Sequence, residues 1–178
     1  MGKTNWDISK QMHHDLIEAY KKVYHTCWTQ LQAYERTVNQ PAPRFYVTAR
    51  QASQVIAPML RGDTERVDMM YPLRREMYYD LFAVVQRLIE KREFIGRSLH
   101  YIMKFAVLEP APKFYISAKR ASIIRGFMRN GVFDENGKVR DDKLPSYVNT
   151  RVNKRKKMEE RRKWMLARMS GEEATAKQ

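Results

Sequence analysis

Apolar residues recur at spacings of three and four through Leu16, Ile17, Tyr20, Val23, Tyr24, Cys27, Trp28, Leu31 and Tyr34. That period predicts one amphipathic helix over about residues 9–37, lying with this stripe against a core. A second run, Leu81, Phe82, Val84, Val85, Leu88, Ile89, Phe94 and Ile95, continues through Leu99, Ile102, Met103, Phe105, Ala106 and Leu108. It is more apolar, so it is predicted to be the more deeply buried, with Gly96 marking a bend or a close packing point. Each run ends in Pro-Ala-Pro, at 41–43 and 110–112. The prolines remove backbone donors and bias the residue before them away from helix, so both helices must stop there. Arg44-Phe45-Tyr46-Val47 and Lys113-Phe114-Tyr115-Ile116 then suit an extended segment or a short strand. One ring of each pair is expected to face the core and the other to be partly exposed. Helix resumes after Thr48 and Ser117, hydroxyl residues placed as N-caps, and Thr48 with Gln51 fits the T-x-x-Q capping box. Ala52, Val55, Ile56 and Met59 form the inner face of the first of these helices, matched by Ala121, Ile124 and Met128 in the second. Gly62 and Gly131 are placed to end them, and Pro58 to kink or shorten the first.

These parallels are an internal repeat. Residues 41–62, PAPRFYVTARQASQVIAPMLRG, align without a gap on residues 110–131, PAPKFYISAKRASIIRGFMRNG, with ten of 22 positions identical at an offset of 69. Upstream, MHHDLIEAYKKVY at 12–24 faces MYYDLFAVVQRLI at 77–89 at an offset of 65. The second copy therefore carries four extra residues, about one helical turn, a length that a helix could absorb without changing which face is apolar. The fold class predicted is all-α or mainly α: two tandem helix, extended-motif, helix repeats, a short hairpin-like loop and a basic C-terminal helix. The expected bounds are 1–62 for the first unit, 63–76 for a connector and 77–131 for the second unit, which packs on the first as one compact domain. They continue with 132–150 for the loop around the Asn136-Gly137 turn, 151–168 for the basic helix and 169–178 for a disordered tail.

Charge narrows the choice of partner. The 178 residues hold 34 Lys and Arg against 20 Asp and Glu, a net charge of +14, and 43% hydrophobic residues are enough for a packed core. Residues 151–168 alone contain nine cations and two Glu, which is half of the net charge. A solvated charged helix is the plain reading of such a run. Clustering favours a polyanion instead, because phosphate contacts gain free energy by releasing condensed counterions. The residues singled out there are Arg151, Lys154, Arg155, Lys156, Lys157, Arg161, Arg162 and Lys163. An acidic protein or an anionic lipid surface is the competing partner, though Trp164, Met165 and Leu166 make only a narrow apolar face.

The repeated motif adds further candidates. The first turns of the two capped helices carry Arg50, Gln51, Lys119 and Arg120, with Gln54 and Arg125 farther along, and helix N-termini suit phosphate. Arg44 and Lys113 stand beside Tyr46 and Tyr115, a pairing that could stack bases and hold phosphate, with core packing as the alternative role for the rings. Catalysis has no comparable pattern: H-E-x-x-H, P-loop, G-x-S-x-G and Cys-x-x-Cys strings are absent, and His13, His14, His25 and His100 read as surface or boundary residues. The lone Cys27 excludes an internal disulfide, and the Asp134 to Asp142 carboxylates do not follow the calcium-loop spacing, so neither a metal nor a cofactor is expected. With no apolar leader or 18-residue apolar run, the chain reads as soluble and cytoplasmic.

The P-A-P-[RK]-F-Y-[VI]-[TS] string is similar to one in uncharacterised short proteins of phages and mobile elements. The resemblance covers the two motifs and implies a second class of function, a structural or assembly component with protein contacts through the repeats. The first expectation is a non-catalytic nucleic-acid-binding protein, for DNA or RNA, dominated by phosphate contacts.

Overall fold

The computed structural model of the protein describes residues 5–131 and Met158. The chain divides into a compact unit Met1–Met128 and a second, Arg129–Gln178, of which only residues 129–131 and Met158 are described. The expected hairpin-like loop, and the basic helix apart from Met158, lie outside the described residues.

The protein is mainly helical, with α1 Asn5–Tyr24, α2 Gln30–Val38, α3 Ala49–Met59, α4 Glu65–Asp68, α5 Pro72–Ile89, α6 Leu99–Ala106 and α7 Ala118–Arg129. A 3-10 turn, Arg92–Phe94, joins α5 to α6. No β-strand occurs among the described residues, so the Phe-Tyr segments are not strands. Their one sheet-like feature is an isolated antiparallel bridge between Ala42 and Ala111. Both amides of that pair donate to the opposite carbonyl at 2.9 Å.

The single helix expected over 9–37 is two helices, and the reason lies in side chains that compete with the helical ladder. The Thr26 hydroxyl donates to the Val23 carbonyl at 2.8 Å and the Cys27 thiol to the same oxygen at 3.3 Å, closing α1. Thr29 then accepts from the Gln32 amide at 3.1 Å while the Gln32 side chain accepts from the Trp28 amide at 3.0 Å, so a new N-cap starts α2. The expected apolar stripe breaks with the helix: Trp28 is 96% exposed, Leu31 is 61% exposed, and Cys27 sits half-buried in the turn. The second long run divides in the same way. Gly96 takes φ +74° with open space where a Cβ would stand, so it marks a bend and not close packing. Ser98 caps α6, accepting from the Tyr101 amide at 3.3 Å. The change of alignment offset from 65 to 69 therefore falls in this corner, outside any α-helix.

After the Pro-Ala-Pro segments, sequence and structure agree more closely. The α2 helix ends at Val38 and α6 at Ala106, each just before its prolines. Thr48 accepts from the Gln51 amide and Ser117 from the Arg120 amide, both at 3.1 Å. Ala52, Val55, Ile56 and Met59 are buried, as are Ala121 and Ile124, but Met128, expected on the inner face, is 40% exposed near the end of α7. Pro58 lies in the last turn of α3.

The core centres on Tyr78, Phe45, Leu16, Ile56, Leu81, Leu88, Met103 and Ile124. The α1 helix packs on α2 and α5 on α6, while α3 crosses to pack on α5 and α6. In turn, Arg125 of α7 reaches α1 and α2, with its guanidinium 4.5 Å from the Tyr20 ring centroid and donating to the Tyr34 hydroxyl at 3.1 Å. Each motif also completes a helix end in the other half. The Phe45 amide donates to the Val107 carbonyl at 3.2 Å and the Phe114 amide to the Val38 carbonyl at 3.0 Å, filling acceptors that helix geometry leaves open at the ends of α6 and α2. The donors lie 69 residues apart and so do the acceptors.

Candidate nucleic-acid interface

The motif residues divide into an inner and an outer set. Phe45 and Phe114 are buried, whereas Tyr46 and Tyr115 are half-buried. Phe45 stacks on Tyr115 at 6.2 Å and Tyr46 on Phe114 at 5.9 Å between centroids, so four rings interleave at the junction. The tyrosine hydroxyls turn to carboxylates: Tyr46 donates to Asp15 at 2.8 Å and Tyr115 to Asp80 at 2.5 Å. Tyr115 holds φ +51°, a conformation rare for a non-glycine residue, whereas Tyr46 is not in that region. The rings suggested for base stacking thus already have an aromatic neighbour and a bound hydroxyl.

Burial, then the hydrogen bond to an adjacent carboxylate, pushes both phenols well above the ordinary tyrosine value of 10.0. Because the folded-state pKa is the raised one, the stabilisation is fully present below the unfolded value. It is lost as pH rises past about 10 toward the folded pKa, since the unfolded chain ionises first. The expected result is a fall in the thermal midpoint beginning near that pH. Replacing both tyrosines with Phe should flatten this fall while lowering the midpoint at neutral pH, and calorimetry across the alkaline range checks it.

The cations named from sequence are not all at the surface. Arg44 is only 5% exposed, its Nε donating to the Phe45 carbonyl at 3.3 Å, and burial holds its pKa below the usual guanidinium value. It does not present a charge to a polymer. Lys113 is half-buried, paired with Glu76 at 2.5 Å and lying 5.8 Å from the Tyr115 ring centroid. Arg125 is committed to Tyr20 and Tyr34, and Gln51 to the cap of α3. Arg50, Lys119 and Arg120 are exposed on the first turns of α3 and α7, beside the free amides of those turns. Burial, and then the charge of Arg120, lower the pKa of His13. Arg151, Lys154, Arg155, Lys156, Lys157, Arg161, Arg162 and Lys163 lie outside the described residues.

Charge on residues 5–131 is substantial without that segment. Residues 5–131 hold 20 Lys and Arg against 12 Asp and Glu. Several of those acids are engaged internally: Asp15, Asp80 and Asp68 accept from tyrosine hydroxyls, and Glu18, Glu76 and Glu109 pair with Lys21, Lys113 and Arg87. Among the described residues no three His, Cys, Asp or Glu side chains converge as a metal site would require, and no helix is long and apolar enough to cross a membrane. A shallow cleft of about 270 Å³ beside the motif is lined by Asp15, Glu18, Lys22, Pro41, Pro43 and Phe114 among others, an acidic lining unsuited to phosphate.

Two surface features do not follow from the apolar pattern. Trp28 projects from the α1–α2 corner, and a cluster of Phe94, Tyr101 and Phe105 with Arg97 lies at the α5–α6 corner. The T-x-x-Q string at 29–32 and the four-residue spacing of Arg97, Tyr101 and Phe105 could have located them. Comparison of the chain with protein-family models, with curated proteins and with solved structures finds no match in any of the three.

Proposed function

We propose that the protein is a non-catalytic nucleic-acid-binding protein of the cytoplasm. Its two related units would act as one body, and its affinity would come from phosphate contacts. The observation that carries the reading is the position of Arg50, Lys119 and Arg120. They are exposed cations on the first turns of two helices that follow the same motif and open on hydroxyl residues aligned in the repeat. The cation cluster of residues 151–168 extends the same chemistry along the chain.

A second reading, a structural or assembly protein of a phage or mobile element, is favoured by Trp28, Tyr71, Met69 and Ile95, large apolar side chains that are 96%, 87%, 79% and 68% exposed. An electrophoretic binding assay in dilute buffer, with the full chain and a chain ending at Thr150, separates the two. The first reading expects a shifted oligonucleotide with the full chain. In the shortened chain affinity should weaken roughly 100-fold or more, because fewer phosphates are neutralised and fewer counterions released. No shift with either chain, together with sedimentation of the full chain as an oligomer, supports the assembly reading instead.

A further inference from the structure

The corner between α5 and α6 carries an aromatic cluster in which Phe94 belongs to the core and Tyr101 and Phe105 do not. Phe94, in the 3-10 turn, is 7% exposed and forms its floor. Phe105 meets Phe94 edge-on at 5.3 Å, Tyr101 lies 5.1 Å from Phe105, and both upper rings are open to solvent, at 39% for Tyr101 and 42% for Phe105. The Arg97 guanidinium lies 5.5 Å from the Tyr101 centroid. Lys91, Arg92, Arg97 and Lys104 of the same segment are exposed, and among the described residues none of them has a carboxylate within ion-pairing distance. Glu90 and Glu93 share the segment, and Glu109 is paired with Arg87.

Comparison of the two copies argues against a purely structural role. At the repeat offset, Arg97, Tyr101 and Phe105 correspond to Trp28, Gln32 and Arg36, so the ring positions of α6 are filled in α2 by polar side chains. The floor residue Phe94 stands in the corner where the alignment offset changes. The Tyr101 and Phe105 rings thus stand where the first unit keeps polar side chains. Exposed rings, one of them under Arg97, in a segment whose cations lack partner acids suit a ligand that offers flat apolar faces and negative charge together.

We propose that the Tyr101–Phe105 face, with Arg97, Arg92 and Lys104, is a stacking platform for single-stranded nucleic acid. In a duplex the base faces are covered by their neighbours, whereas an unpaired strand can lay one base on each open ring and its phosphates along the cations. The inference rests on the nucleic-acid reading above and adds to it the strand state and a site.

The test measures anisotropy of a labelled oligothymidine of about 20 nucleotides and of a labelled duplex, with the full chain and with a Tyr101→Leu/Phe105→Leu variant. Leucine keeps apolar contact with Phe94. The expected result is a loss of roughly 10- to 100-fold for oligothymidine in the variant, with duplex affinity unchanged. Ultraviolet crosslinking of the unaltered chain to oligothymidine, mapped by mass spectrometry, gives a readout independent of variant folding and should place crosslinks within 97–108. Equal oligothymidine affinity in the variant, crosslinks confined to other peptides, or parental binding to duplex alone would each overturn the platform while leaving the nucleic-acid reading intact. No binding of either probe overturns both.

Discussion

Phe45→Ala should unfold the protein well below the temperature of the parent, and Phe114→Ala should do nearly the same. Phe45 is fully buried and Phe114 is 3% exposed. Each ring stacks on the tyrosine of the opposite motif, and each residue's amide completes the end of a helix in the opposite half. Truncating a buried phenylalanine costs about 3–5 kcal/mol, the sum of lost transfer free energy and the cavity left behind. For a folded body of this size that corresponds to a drop of roughly 10–20 °C in the thermal midpoint. Leucine at either position should recover much of the loss, since it refills most of the volume. Thermal unfolding followed by circular dichroism gives the answer, and a cost under about 1 kcal/mol at either site would contradict the packing described.

Binding should respond to a different set. Arg50→Gln, Lys119→Gln and Arg120→Gln combined should leave the midpoint nearly unchanged, because exposed substitutions of this kind usually cost within about 0.5 kcal/mol each. Affinity should weaken about equally for unrelated sequences. The slope of log affinity against log salt should become shallower by about 0.9 for each phosphate no longer neutralised, close to three in all. By contrast, Arg44→Gln should act on stability and not on binding, since its guanidinium is turned inward onto the Phe45 carbonyl. A triple variant that binds as the parent does would remove the helix N-termini from the interface.

The fold is legible in the sequence where local rules and packing agree. The prolines of 41–43 and 110–112 end α2 and α6, Thr48 and Ser117 cap the next helices, and the Ala52, Val55, Ile56, Met59 face is the buried one. Spacing of three and four fails where capping side chains outweigh it. Thr26, Thr29 and Gln32 break the first run although its apolar period continues through Trp28 and Leu31, which then face solvent. Burial of Arg44 is equally hidden, because a cation beside an aromatic pair reads as surface chemistry until the chain path is known. The pairing of Ala42 with Ala111 joins residues 69 positions apart, and no local pattern specifies such a contact. Among the candidate site residues, exposure separates Arg50, Lys119 and Arg120 from Arg44, Lys113 and Arg125, a distinction that composition does not make.

The most direct test of phosphate-driven binding is the salt dependence of the full chain's affinity for a labelled oligonucleotide, titrated from dilute buffer to physiological ionic strength. A straight log–log line with a slope of about −5 or steeper is expected from several released counterions. A flat line, or no binding at the lowest salt, would contradict it.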